Sequence, residues 1–406
     1  MKLVEKLHLG GVLLLTTGLD QTLYQSALRP MFGDVGFFSV HVPLGTLLLL
    51  PLLFSLLRRP TKRQKLSSQF IWTLLMFAVA LLPGMFLAQD RVLHVLAMLQ
   101  LVFAVLYLWV LISSEVSRTT AKWGILLGAC ATAFLTFLQV IFQHGIGLGV
   151  LGESTLVDGG LGLAKGLFGV GSMLRGYALF PHPNIAFAWI AVAFLLVVSP
   201  QKLRNFWHHP QHALLLAALL LGIVATGSKS ILFLMLALLA GFLVTRFTPK
   251  QTLSMLIVPV ASLLLWTYFS LQESSSIADR VVFLEEAWNI MRSHPFGVGL
   301  ANMPAYLAQT TGTPPWMAQP VHNVFALLFV ELGVFGGLVG LYAFCGSLKN
   351  AFLRSSRQHA RTTALVTFVL LTMMVDHYWI TNPSMQLLLV MVVAIVLRPV
   401  LARKTA

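Results

Sequence analysis

The sequence predicts an all-α, polytopic membrane protein, a single bundle of about 12 transmembrane helices. Three observations carry this expectation. Of the 406 residues, 57% are hydrophobic and only 10% are charged, against roughly 25% charged in a soluble domain. Apolar runs of about 20 residues recur along the whole length, each long enough to cross a hydrocarbon core of about 30 Å. Lys and Arg gather in short segments between alternate runs, the pattern that orients a helical membrane protein.

The runs fall at 9–28, 37–57, 69–88, 92–112, 123–143, 184–200, 213–227, 230–246, 253–271, 322–346, 362–380 and 385–402. The first also carries Asp20, Gln21 and Gln25, and the seventh is short. The opening MKLVEKLHLGGVLLLTTGLDQ reads as a first membrane helix rather than a signal peptide, because no small-residue cleavage site follows it. Residues 1–406 read as one integral-membrane domain.

With the N-terminus inside, the inner segments hold 20 of the 27 basic residues. Seven remain outside: Arg29, Arg91, Lys165, Arg175, Lys229, Arg280 and Arg292. The bias predicts both termini on the cytoplasmic side. It also accounts for the net charge of +14 without a nucleic-acid partner. Cys130 and Cys345 sit inside apolar runs and read as small buried hydrophobes. Neither a CxxC pair nor a zinc-ligand spacing is present.

Two outer segments exceed ordinary loop length. The first, 144–183, holds 11 glycines between Gly145 and Gly176 and ends in SMLRGYALFPHPN. The second, 272–321, contains the amphipathic stretch SSIADRVVFLEEAWNIMRSHPFGVG and the Pro-rich TGTPPWMAQPVHN. Aromatic, Gly and Pro content predicts ordered loops with short helices, packed on the membrane face. On the amphipathic stretch, Val281, Val282, Leu284 and Ala287 form the expected apolar face.

These loops hold the residues able to do chemistry. Arg175 stands before Pro181, His182 and Pro183, with Asn184 placed to cap the following helix. It is either an interfacial arginine or a fixed cation suited to phosphate. Lys229 lies in GSKS at a helix start, where backbone N–H groups, hydroxyls and one cation could meet an anion; the alternative is a snorkelling lysine. Arg280 opens the amphipathic stretch, with Glu285 and Glu286 as possible ion partners. His322 and Asn323 open the tenth run. An imidazole there can take a proton near neutral pH. Asp376 and His377, on the eleventh run, are ionisable groups in a membrane helix and so functional candidates. The twelve histidines are scattered, so no metal cluster is expected.

Taken in order, RGYALFPHPNIAFAW, TGSKSILFLMLALLAGF, RVVFLEEAWNIMRSHPFGVGLANMPAYL and PVHNVFALLFVELGVFGG resemble the O-antigen ligase and O-antigen polymerase superfamily over roughly residues 170–345. The resemblance implies a bacterial inner-membrane enzyme with its active face in the periplasm. It would move a glycan from undecaprenyl diphosphate to an acceptor hydroxyl, such as lipid A core, without cofactor or metal. It further implies that Arg175, Lys229 and Arg280 bind the donor diphosphate. His322 would act as general base or orient the acceptor, Arg280 would share the catalytic role, and Asn323 would help orient the acceptor. Two departures stand out. Lys229 replaces the arginine of a Gly-Ser-Arg turn, and Pro320 stands where many ligases carry a further histidine. A polymerase or a protein O-oligosaccharyltransferase of the same superfamily remains open. So does an anion transporter, for bicarbonate for example, drawing on the same outer cations.

Overall fold

A computed structural model describes residues 3–25, 39–58, 68–154, 156, 164–167, 170–197, 210–243, 247, 275–310, 318–353 and 360–401. The protein is mostly helical. Among the described residues, strands form only two antiparallel two-stranded ribbons. β1 (Asp20–Gln25) pairs with β2 (Ser39–Pro43), and β3 (Lys165–Leu167) pairs with β4 (Val170–Leu174).

Most of the described helices overlap the predicted runs. They are α1 (Leu3–Leu14), α2 (Leu44–Arg58), α3 (Ser68–Leu81), α4 (Gly84–Leu87), α5 (Arg91–Ser113), α6 (Glu115–Phe142), α7 (Pro183–Val197), α8 (Pro210–Ala225) and α9 (Ile231–Leu243). After these come α10 (Ser275–Ser293), α11 (Met303–Thr310), α12 (Val324–Leu353), α13 (Ala360–Met373), α14 (Tyr378–Thr381) and α15 (Pro383–Leu401). Among the described residues, four segments are long and apolar enough to cross a membrane, so the expected count of about 12 is not confirmed: Phe70–Leu87, Arg91–Ser113, Glu115–Phe142 and Val324–Gly346. Five shorter apolar helices accompany them: Pro183–Val197, Gln211–Ala225, Ile231–Leu243, Ala360–Met373 and Pro383–Val396. The run expected at 253–271 lies outside the described residues.

The first run is corrected. Its helix ends at Leu14, and the polar stretch Asp20–Gln25 forms β1 instead. Asp20, Gln21 and Gln25 would be costly in lipid, whereas an extended segment can pair with Ser39–Pro43. Cys130 is half-buried and Cys345 is exposed, so Cys345 is not the core residue its surroundings suggested.

α7 organises the bundle. Phe187, Ala188, Trp189, Ile190, Ala191 and Val192 are all fully buried. A helix apolar on every side belongs in the centre of a core, and α6, α8, α13 and α15 pack around this one. Small residues let neighbours approach closely. A Cβ on Gly222 of α8 would come within 2.3 Å of the Ala133 side chain on α6.

A second core holds the long second loop in place. Phe283, Ala287 and Ile290 of α10 are buried with Met303, Val321, Leu327 and Val330. Spacings of four and three put these α10 residues on one stripe. The apolar face expected at Val281, Val282 and Leu284 is therefore misplaced, since all three are exposed; only Ala287 belongs to the buried stripe.

α12 breaks at Gly333, where φ is 71° and ψ −175°. The segment after α10 docks into the break. Val298 and Gly299 donate N–H bonds to the carbonyls of Val330 and Glu331, both at 3.0 Å, and Val334 donates to Pro295 O at 2.9 Å. A Cβ on Gly333 would lie 2.4 Å from Pro295 O. Only glycine tolerates both that dihedral pair and that approach. The interlock fixes the first half of α12, which begins just after His322.

Candidate functional site

The site forms where four chain segments converge: residues 174–184, the turn after α8, the start of α12, and residues 374–377 between α13 and α14. α7 supplies the anchor. Pro183 takes its first position, where the missing N–H costs nothing, and Asn184 follows. Asn184 was expected to cap this helix. Its side chain is instead occupied at the site: Oδ1 accepts from Arg175 Nη2 and from Ser228 Oγ, both at 2.9 Å. Its Nδ2 donates to Asp376 Oδ2 at 3.3 Å.

Arg175 is half-buried and doubly held. Nε donates to the carbonyl of Thr226 at 2.8 Å, just beyond the C-terminus of α8, where unpaired carbonyls favour a cation. Burial lowers its pKa to about 10, which leaves it charged at neutral pH. Lys229, in the same turn, is exposed.

Beside Asn184 lies a cluster of imidazoles around one carboxylate. His322 Nδ1 lies 3.6 Å from Asp376 Oδ1. His322 Nδ1 is buried and, among the described residues, has no hydrogen-bond partner. The separation is just beyond a hydrogen bond, so a shift of a few tenths of an ångström would close it. The His322 and His377 rings lie 4.9 Å apart between centroids. Phe283 packs on the other side of His322 at 6.1 Å. His377 is fixed by Thr381 Oγ1, 2.7 Å from its Nδ1, and its backbone N–H donates to Asp376 Oδ1 at 2.9 Å. Asp376 and His377 were expected on a membrane helix. They lie instead in the turn after α13 ends at Met373.

Electrostatics sort these groups. Burial would raise the Asp376 pKa, but contact with His322 and the nearby His377 and His182 outweighs it. The carboxyl is held well below its usual range. Burial lowers His377 to about 4, against the pull of Asp376. Burial likewise lowers His182 to about 4. Both imidazoles are therefore neutral near pH 7. His182 Nδ1 accepts the Asn184 N–H at 3.1 Å, which puts its own proton on Nε2. The Arg280 charge also disfavours protonation of His182 and His377, so Arg280, half-buried at the start of α10, faces this cluster. Among the described residues it has no carboxylate within ion-pair distance, and the expected pairing with Glu285 or Glu286 does not form.

Asn323 caps α12. Its Oδ1 accepts from Phe325 N at 2.9 Å and Ala326 N at 3.0 Å, while Nδ2 donates to Met374 O at 2.9 Å. Both ends of the amide are thereby occupied, which leaves the side chain a positioning role. Such a cap is worth about 1 kcal/mol. His322, Asp376 and His377 each offer one potential metal-ligand atom, all within 4.8 Å of one another. The scattered histidines of the sequence gave no sign of that grouping, because folding brings together two separate turns.

Fold and site define a helical membrane protein whose loops gather arginines, imidazoles and one buried carboxylate. Residues 213–341 match the family model described as O-antigen ligase. The match includes Lys229, Arg280, His322 and Asn323. Arg175 precedes it, and Asp376 and His377 follow it. A comparison with curated proteins finds no match.

Proposed function

We propose that this protein transfers a glycan from a polyprenyl diphosphate, undecaprenyl diphosphate in a bacterium, to a hydroxyl of lipid A core on the periplasmic face of the inner membrane. The single observation that carries the reading is the contact of His322 Nδ1 with the buried, ionised Asp376, within a cluster also faced by two arginines.

Asp376 orients His322 with its proton on Nδ1, which leaves Nε2 to accept the proton of the acceptor hydroxyl. The hydroxyl oxygen forms a bond to the anomeric carbon, and the bond from that carbon to the diphosphate oxygen breaks. Polyprenyl diphosphate leaves with the electron pair. Arg175 and Arg280 would hold its phosphates, because guanidinium donors match phosphate oxygens and stabilise the charge that grows there. Lys229, exposed on the same turn as Ser228, would guide the donor at longer range. An apolar cleft of about 280 Å³ between α12, α13 and α15, lined by Val324, Phe325, Met373 and Ile380 among others, offers a place for the prenyl chain beside the same loops.

The chemistry needs no metal in this reading. Two arginines already supply positive charge. His377 Nδ1 is engaged by Thr381 and both Asp376 oxygens by donors.

Purified protein, given undecaprenyl-diphosphate-linked glycan together with O-chain-free lipid A core, tests the assignment. Glycan on core supports ligation. Longer glycan-lipid without core transfer would make the protein a polymerase. Inactivity toward every acceptor, with labelled bicarbonate taken up by vesicles, would favour transport.

A further inference from the structure

Behind the imidazole cluster lies a second cavity, of about 100 Å³, that the transfer chemistry above does not use. It opens between α5, β2, α11 and the α14–α15 region. Its polar lining is His41, Gln100, Glu331, Thr381 and Gln386, with Pro320 in the wall. Among the described residues, no Lys or Arg lines it. It therefore suits neither a phosphate nor a carboxylate.

What the cavity offers is oxygen acceptors. The Gln100 amide donates its N–H to His41 O, and the Gln386 amide donates to Ile380 O. Among the described residues, no donor is bonded to either amide oxygen. Glu331 is 4% exposed, and its carboxyl accepts from the backbone of Ala301 and, at a long 3.5 Å, from Met303 N. A lining of carbonyl, carboxylate and hydroxyl oxygens recognises a neutral ligand rich in O–H donors. Two members of the lining also belong to the neighbourhood of the cluster. Thr381 Oγ1 touches His377 Nδ1 at 2.7 Å, and Pro320 precedes His322 by two residues.

We infer that this cavity is the subsite for the acceptor sugar. A neutral, hydroxyl-rich ring enters on the α5 and α15 side, and its nucleophilic hydroxyl reaches His322 past Thr381 and Pro320. Anionic donor and neutral acceptor then occupy opposite sides of the His322, Asp376 and His377 cluster, the first among arginines and the second among oxygen acceptors. The inference rests on the glycan-transfer reading above and adds to it where the acceptor binds and which residues select it.

Acceptor and donor KM, measured separately, test it. The probes are O-chain-free lipid A core and undecaprenyl-diphosphate-linked glycan. Gln386→Leu removes an acceptor oxygen, and Ala97→Phe fills the cavity from α5. Each is expected to raise the acceptor KM about tenfold, the scale of one lost hydrogen bond, with donor KM and melting temperature unchanged. Unchanged acceptor KM in both variants, with His322→Ala inactive, would overturn the subsite and leave the transfer reading standing. Absence of transfer by the wild type would overturn both. The wild-type protein gives a readout that depends on no variant. Deacylated core oligosaccharide should slow hydrogen exchange in peptides covering 97–101 and 380–387. No protection at saturating oligosaccharide would also overturn the subsite.

Discussion

Arg175 and Asp376 are joined through one side chain. Asn184 accepts from the guanidinium and donates to the carboxylate, and Asp376 in turn lies against His322. A cation placed for the leaving group and an imidazole placed for the incoming hydroxyl thus share a single amide on the buried helix α7. The distance between donor and acceptor chemistry is set by the most rigid element of the bundle.

The first prediction concerns that amide. Asn184→Ala frees Arg175 Nη2 and Ser228 Oγ, and removes one donor to Asp376. Donor KM and kcat should both worsen, each by about tenfold, the scale of a hydrogen bond to a charged group. Steady-state kinetics on the purified variant check it. Asn184→Asp should be worse than Ala, because a second carboxylate would face Asp376 across about 3 Å.

Asp376→Asn keeps the shape and removes the charge that orients His322. Loss of an oriented general base costs about 10²–10⁴ in rate. The variant is expected to lose activity on that scale while still binding donor, as a labelled lipid-linked glycan would show. The Asp376 pKa is depressed in the folded state. Its ionised contribution is present above the ordinary carboxylate range and persists far into acid. Asp376 itself should therefore contribute no acidic limb to the pH–rate profile near neutral pH.

Glu153 carries a separate pH prediction. Its carboxylate accepts from Ile146 N at 2.8 Å, Leu148 N at 2.7 Å and Gln139 Nε2 at 2.7 Å. Gln139 in turn receives Tyr177 N and Ala178 N. Burial would raise the Glu153 pKa, but these donors outweigh it and lower it. A group depressed on folding stabilises above its unfolded pKa and loses that contribution as pH falls through the folded value. The segment 144–153 should thus open first at acid pH, read as faster proteolysis there, and Glu153→Gln should open at neutral pH.

Gly333→Ala should destabilise the protein by about 1–3 kcal/mol from backbone strain alone, with more from the approach of Pro295 O. A lowered melting temperature would check it. The transfer rate should fall with it, since the break in α12 holds the segment that presents His322.

Chelation separates the two uses of His322, Asp376 and His377. Dialysis against EDTA is expected to leave transfer unchanged. A loss restored by zinc or another divalent ion would show that the three groups hold a metal.

The helices were legible because apolar length is a local property. α5, predicted as 92–112, is found at Arg91–Ser113, and α15, predicted as 385–402, at Pro383–Leu401. The first run failed where its polar residues could pair as a strand with Ser39–Pro43, a partner that hydropathy does not see. The apolar face of α10 was misread because composition suggested Val281 and Val282, while packing chose Phe283, Ala287 and Ile290. At the site, RGYALFPHPN already put Arg175 and Asn184 near each other. The approach of Asp376 to His322 was not legible, because it arises from how α12 and α13 are set against α7 and no spacing in the chain reports it.

The most direct measurement is single-turnover transfer from labelled undecaprenyl-diphosphate-linked glycan to lipid A core, compared in wild type, His322→Ala and Arg280→Ala, with donor binding measured in parallel. The account predicts that wild type transfers, that His322→Ala binds donor and does not transfer, and that Arg280→Ala binds donor weakly. Transfer by His322→Ala at the wild-type rate would contradict it.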